Sequence, residues 1–311
     1  MEAHAIEVYA DISELIADYL STCAARNLSP QTIRKYHFAL DRFQKFYNED
    51  IRIIDAKLLR RYILHLRESG LTPRSVHDYY VCLRIFFNHL VGEGYLPASP
   101  SDSTPPPRYP KRLPNVLSLE QSQSLLDTIP DYSWIGQRDK TAVFLLLGSG
   151  LRLSEMLSLN IFDVDLTAGE IRVVGKGSKE RIVPIDSDVC LILKGWQGLR
   201  NRLGCKGEAL FVNRYKQRMA NKFGLDVKRY ANDAGFFCTP HVLRHTFATN
   251  WIRSGGDIQR LKDILGHSHI SMTEKYIHLA RKDFREAVNK YSITKQLRFD
   301  SRQMSLMDWG E

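Results

Sequence analysis

A chain of 311 residues with a net charge of +9 is long enough for two domains with separate cores, and its positive excess suits a polyanionic partner. No apolar run approaches the length of a membrane span, and the start, MEAHAIEVYADISELI, lacks a basic-then-apolar signal, so a cytoplasmic protein is expected. Cys23, Cys82, Cys190, Cys205 and Cys238 are scattered without paired spacing, which points away from disulfides and from a metal site.

Four amphipathic helices are predicted in residues 1–96. The first covers residues 11–25, with Ile12, Leu15, Ile16, Tyr19, Leu20 and Cys23 on one stripe. Ser29-Pro30 opens the second as a side-chain cap followed by proline at the first helical position; Ile33, Tyr36, Leu40, Phe43 and Tyr47 follow at threes and fours. Leu58, Leu59, Tyr62, Ile63 and Leu66 mark a third that stops at Gly70. Thr72-Pro73 repeats the cap-and-proline start, and Val76, Tyr80, Leu83, Phe87 and Leu90 form the fourth stripe before Gly92. Short turns between them make a small helical bundle. This region holds 12 basic and 12 acidic residues, so contact with a polyanion must come from local clusters. Arg34, Lys35, Arg60, Arg61 and Arg74 are the candidates.

Residues 97–114, PASPSDSTPPPRYPKRLP, hold seven of the 12 prolines and read as an extended spacer, with Arg108, Lys111 and Arg112 as further basic candidates. Residues 115–295 carry the charge excess, 27 basic against 19 acidic. Ser118 and Glu120 begin a helix. TAVFLLLG, residues 141–148, is apolar nearly all round and predicts a buried helix behind Arg152, with helix continuing at residues 154–159. Alternating runs at 170–174 and 181–185 flank GKGSKE and predict a hairpin with Lys176 and Lys179 at its tip. Helices are expected at about residues 189–198 and 216–233.

The densest pattern is residues 239–279. Thr239-Pro240 starts a helix whose first turn puts His241 and Arg244, three apart, on one face. Gly255-Gly256 ends it. A second helix, about 258–265, stops at Gly266 before His267. Ser271 and Glu274 read as a capping box for a third, which carries Tyr276. Taken singly, each feature also fits a solvated face, a glycine-rich turn or a core tyrosine. Together, in the order Arg152, Lys176, His241-x-x-Arg244, Gly266-His267 and Tyr276, they resemble the tyrosine recombinase (phage integrase-like) family, most closely its short Xer-like members. The separations of 24 residues from Arg152 to Lys176, 23 from Arg244 to His267 and nine from His267 to Tyr276 fit that family.

The resemblance implies a mainly α fold: an amino-terminal four-helix SAM-like core-binding domain (1–96), a linker (97–114), a mostly helical catalytic domain with a small antiparallel β-sheet (115–295) and a carboxyl-terminal tail (296–311). It implies a site-specific recombinase that cuts and rejoins duplex DNA through a 3′-phosphotyrosyl intermediate. Such an enzyme would act in chromosome or plasmid dimer resolution or in mobile-element integration and excision. A type IB topoisomerase-like relaxase and an inert DNA-binding regulator are the alternatives. Paired guanidinium groups suit the non-bridging phosphate oxygens, which makes Arg152 and Arg244 the expected clamp and His267 a further donor. Tyr276 is then the nucleophile and His241 the candidate acceptor of its proton. Lys176 is the general acid and Glu155 the acidic support that the family carries at that position.

Neither ATP nor metal is called for, since the ester stores the bond energy and arginines supply the charge. Accordingly there is no nucleotide-binding glycine loop and no carboxylate cluster for magnesium. The partners implied are double-stranded DNA with a recombination site, further copies of the chain in a synaptic tetramer (a monomer when free), and accessory proteins. No membrane is involved, and the location is cytoplasmic, with the nucleoid. Residues 280–291 carry Phe284, Val288 and Tyr291 at helical spacing, and in the family a helix at this place inserts into a neighbouring subunit.

Overall fold

The protein's structure, a computed structural model, describes residues 11–110, 114–175 and 180–280. Lys111, Arg112, Lys176, Lys179 and the segment 281–311 lie outside the described residues. The chain divides into two compact units, residues 1–112 and 113–311.

The first unit is the expected helical bundle of α1 (Ile12–Ala25), α2 (Pro30–Phe46), α3 (Ala56–Glu68) and α4 (Pro73–Gly92). Its helices start where capping chemistry places them. Ser29 accepts from the Thr32 N–H, Asp55 from Leu58 and Thr72 from Ser75, each cap worth about 1 kcal/mol. Leu40, Phe43, Tyr62, Leu66, Leu83, Phe86, Phe87 and Leu90 fill the core. Arg34, Lys35, Arg60, Arg61 and Arg74 all lie on its exposed surface.

The proline-rich stretch departs from the spacer expectation, because up to Tyr109 it is docked on α4. The Tyr80 hydroxyl donates to the carbonyl of Thr104, the His77 Nδ1 meets the Pro107 carbonyl at 2.9 Å, and Arg74 lies 4.6 Å over the Tyr109 ring. Prolines contribute carbonyls without N–H groups, so donors from a neighbouring helix must satisfy them.

The second unit is mostly helical: α5 (Leu119–Thr128), α6 (Trp134–Ser149), α7 (Leu153–Ser158), α8 (Ser187–Arg202), α9 (Phe223–Asp233), α10 (Pro240–Arg253), α11 (Ile258–Leu265) and α12 (Ser271–Ala280). Between α7 and α8 lies a three-stranded antiparallel sheet, β1 (Val164–Asp165), β2 (Glu170–Val174) and β3 (Glu180–Pro184), in that spatial order. The expected hairpin is β2–β3, registered Val173 to Arg181, and β1 is a strand the alternation did not reveal.

Two local expectations are corrected. The helix expected at 216–233 begins only at Phe223. Asn213 Oδ1 accepts the N–H groups of Tyr215 and Gln217 and holds residues 213–217 in a turn, with Lys216 at φ 61°. Ser271 lies inside α12 rather than capping it, and the Glu274 N–H bonds to the Ile270 carbonyl.

Candidate active site

Two glycines let the elements of the site converge. Gly150 ends α6 at φ 63°, and a Cβ there would lie 2.4 Å from Phe247 of α10, so only glycine allows that approach. The turn delivers Arg152 to the mouth of α7 and turns the Gly150 carbonyl toward Arg244 Nη1, 2.7 Å away. Gly266 ends α11 at φ 62°, and a Cβ there would press on the Arg181 guanidinium at 3.1 Å. The next residue is His267.

Three arginines meet at the end of α11. Its successive carbonyls Ile264, Leu265 and Gly266 accept from Arg181 Nε (2.8 Å), Arg244 Nη2 (2.7 Å) and Arg152 Nη2 (3.3 Å). These are groups that a helix terminus leaves without intrahelical partners, at the negative end of its dipole. A single carboxylate serves the same three cations. Glu155, 5 % exposed, accepts from Arg152 Nη1 (2.7 Å), from the Arg152 N–H (2.8 Å) and from both terminal nitrogens of Arg181 (3.0 and 2.9 Å). Arg244 Nη1 stands 3.9 Å from it. Burial alone would raise the Glu155 pKa, but the Arg181 bonds, the Arg152 N–H and the cationic charges outweigh it and hold the carboxyl below its usual range. Arg244 is 4 % exposed, and burial with the neighbouring Arg152 charge lowers its pKa to about 10, still cationic at neutral pH. The Arg152 side chain remains 36 % exposed and is the open member of the pair.

His267 Nε2 lies 3.1 Å from Arg244 Nη2 and its Nδ1 2.8 Å from the Thr273 hydroxyl. A guanidinium has no lone pair, so Nε2 must accept and the ring proton sits on Nδ1. Burial, then the charges of Arg244, Arg152, Lys275 and Arg181, push its pKa down to about 3.

Tyr276, 1 % exposed, packs with Ala248, Leu261 and Leu265. Its hydroxyl is 2.8 Å from Nδ1 of His245, and burial pushes its pKa up to about 12 against the lowering pull of Arg244 and Arg152. The His245 pKa falls to about 4 through burial and the Lys275, His241 and Arg244 charges. Phenol and imidazole are therefore both neutral at pH 7. Lys275 Nζ lies 5.0 Å from the Tyr276 ring centre.

The structure thus brings together Arg152, Glu155, Arg244 and His267, with Tyr276 on the adjoining helix. His241 is exposed one helical turn before His245, and it is His245 that holds the tyrosine. Lys176 and Lys179 lie outside the described residues. Four neighbours escaped the sequence reading: Arg181, His245, Thr273 and Lys275. Strand alternation could have found Arg181, which shares a face of β3 with buried Val183; His245 shares a helix face with His241 at i+4. Thr273 and Lys275 carry no such signal. Among the described residues no three His, Cys, Asp or Glu side chains cluster as a metal site, and no helix is long and apolar enough to cross a membrane.

Comparison with known proteins shows the family of the chain. Residues 115–283 match the phage integrase family, and residues 16–94 match the phage integrase N-terminal SAM-like domain. Tyrosine recombinase XerC of Shewanella amazonensis is 33% identical over 282 residues, covering 89% of this chain and 93% of that protein. XerC of Escherichia coli O127:H6 is 32% identical over 295 residues, covering 92% of this chain and 96% of that protein. The crystal structure of XerA recombinase is 27% identical, with a TM-score of 0.53 over 92% of this chain and 100% of that one. XerH bound to a palindromic difH substrate, a post-cleavage complex, shares the fold at 22% identity and a TM-score of 0.70, covering 89% of this chain and 84% of that one. The chain belongs to the phage integrase family and is a tyrosine-type site-specific recombinase, similar to Xer proteins along most of its length.

Proposed function

We propose that the substrate is duplex DNA carrying a recombination site and that Arg152 and Arg244 clamp the non-bridging oxygens of the scissile phosphate. The observation that carries this is the convergence of three guanidiniums on Glu155 and the end of α11, with His267 and Tyr276 alongside. Two cations are left unneutralised once Glu155 has taken one. In the reaction, the Tyr276 oxygen bonds to phosphorus and the P–O5′ bond breaks. The phenolic proton passes to a histidine, and Lys176 protonates the leaving oxygen. Attack of a 5′-hydroxyl on the phosphotyrosine reverses these steps and joins a new strand. His267 accepts from Arg244 in the free protein, so to donate to a phosphate it must take up a proton, which the phosphate's negative charge favours. Tyr276 at 1 % exposure is closed to a duplex, so DNA binding must shift α12.

Exchange between two duplexes needs four tyrosines, hence a synaptic tetramer, with the free chain a monomer. We place its work with the nucleoid in the cytoplasm, at a fixed site used for dimer resolution or element movement. The exposed Arg34, Lys35, Arg60, Arg61 and Arg74 support backbone contacts by the first unit, and Arg112 and Lys179 are proposed as further contacts.

The test uses nicked duplexes spanning the DNA on either side of the gene, followed by denaturing electrophoresis. Wild type is expected to form a covalent adduct at Tyr276, whereas Tyr276→Phe binds DNA without one. An adduct in the variant removes Tyr276 from its role. Absence of any wild-type adduct favours an inert regulator, and relaxation of supercoils without a site favours the topoisomerase.

A further inference from the structure

Arg181 is the arginine of the trio that takes no part in the proposed clamp. We propose that it is a positioning residue, which keeps Arg152 and Arg244 available to the scissile phosphate by occupying Glu155 and anchoring the end of α11. This deepens the proposed phosphate clamp and rests on that reading.

Three observations carry it. First, Arg181 grips both oxygens of Glu155 in a fork, at 3.0 and 2.9 Å, with its own side chain only 14 % exposed. Its terminal nitrogens are spent on that carboxylate rather than turned toward a ligand. Second, without Arg181 the buried carboxylate would keep only its Arg152 bonds, and its nearest other cation would be Arg244, 3.9 Å away. An under-satisfied buried carboxylate draws in the cations around it, so both clamp arginines would turn inward. Third, Arg181 Nε donates to the Ile264 carbonyl, one residue before the acceptor for Arg244 and two before that for Arg152. This bond ties β3 to the turn that carries His267. The missing side chain at Gly266 leaves the space the guanidinium fills.

The experiment compares wild type, Arg181→Met and Arg181→Lys on the nicked duplex that wild type cleaves. Displacing clamp groups by about 1 Å costs on the order of 100-fold in rate, so Arg181→Met should slow single-turnover cleavage by roughly that factor. Arg181→Lys, which keeps the charge but loses the fork, should slow it about 10-fold, and duplex affinity should change less than about threefold in both. Replacing one charged non-bridging oxygen at the scissile position by a methyl group, as a methylphosphonate, reduces the charge the clamp must hold. There the Arg181→Met deficit should shrink to within about threefold. An equal deficit on both substrates would mean a merely structural role. A deficit erased by a 5′-bridging phosphorothiolate would place Arg181 in leaving-group protonation, and no deficit would end the proposal outright.

If Arg181→Met does not fold, Arg181→Lys carries the same comparison: its roughly 10-fold deficit should shrink to within about threefold on the methylphosphonate, and an equal deficit on both substrates overturns the idea. Should wild type form no adduct, the proposed function fails separately. The Arg152 side-chain N–H signal in the free protein then decides on Arg181: it must shift and broaden in Arg181→Met, and an unchanged signal refutes the positioning role.

Discussion

The two units handle charge in opposite ways. Among its described residues the first unit buries no Lys, Arg, Asp or Glu, and its candidate DNA-contacting side chains stay at the surface. The second unit buries Arg138, Asp139, Glu155, Arg200 and Arg244. A buried charge is costly unless it is paired or fully hydrogen-bonded: Arg138 pairs with Asp139 and Glu155 with Arg181, Arg244 lies beside Glu155, and Arg200 donates to the backbone carbonyls of Cys205, Gly207 and Ala209. Arg138–Asp139 and Arg200 tie loops together, whereas the Glu155 cluster holds cations in place before any phosphate arrives. Fixing them beforehand makes them worth more to a transition state than mobile surface charges, which must be ordered as they bind. Affinity for a backbone can rest on exposed, replaceable side chains, while chemistry needs cations that are held in place beforehand.

The sharpest way to break this contrast is Glu155→Ala. Three guanidiniums would lose their common counter-charge, and removing one partner of a buried ionic set costs about 3–5 kcal/mol. Thermal unfolding should show that loss in the second unit, with cleavage abolished; a change below about 1 kcal/mol would mean the cluster is not preorganised.

Acidification has a smaller effect, whose sign follows from His267 and His245. Their folded pKa values, about 3 and about 4, lie below the ordinary 6.5, so the unfolded chain binds more protons between those limits. The stability they contribute is complete above pH 6.5 and is lost as pH falls toward 4 and 3, at up to ~1.4 kcal/mol per pH unit for each. The unit containing α10–α12 should therefore melt earlier at pH 5 than at pH 7, and His267→Gln should flatten that dependence. An unchanged slope in that variant contradicts the neutral ring assigned from its Arg244 contact.

The gentlest probe is the first unit's surface. Arg34→Ala with Lys35→Ala should leave stability within about 0.5 kcal/mol while lowering the salt slope of DNA binding by roughly one to two. A stability loss comparable to that of Glu155→Ala would erase the distinction between the units.

Much of this was legible along the chain because it is set locally. Ser29-Pro30, Thr72-Pro73 and Thr239-Pro240 announce helix starts through groups only three residues apart, and the stripes of α1 to α4 follow from a 3.6-residue period. The ordered set from Arg152 to Tyr276 marks the family in the sequence alone. What only tertiary structure decided is which groups touch. Arg181 reaches Glu155 across 26 residues and Ile264 across 83, and His245 meets Tyr276 across 31. No sequence period encodes such separations; they arise from the Gly150 and Gly266 turns and from packing of α10 against α6 and α12. The same holds for the docked prolines, whose composition specifies an extended backbone but leaves to Tyr80 and His77 of α4 the choice of where it lies.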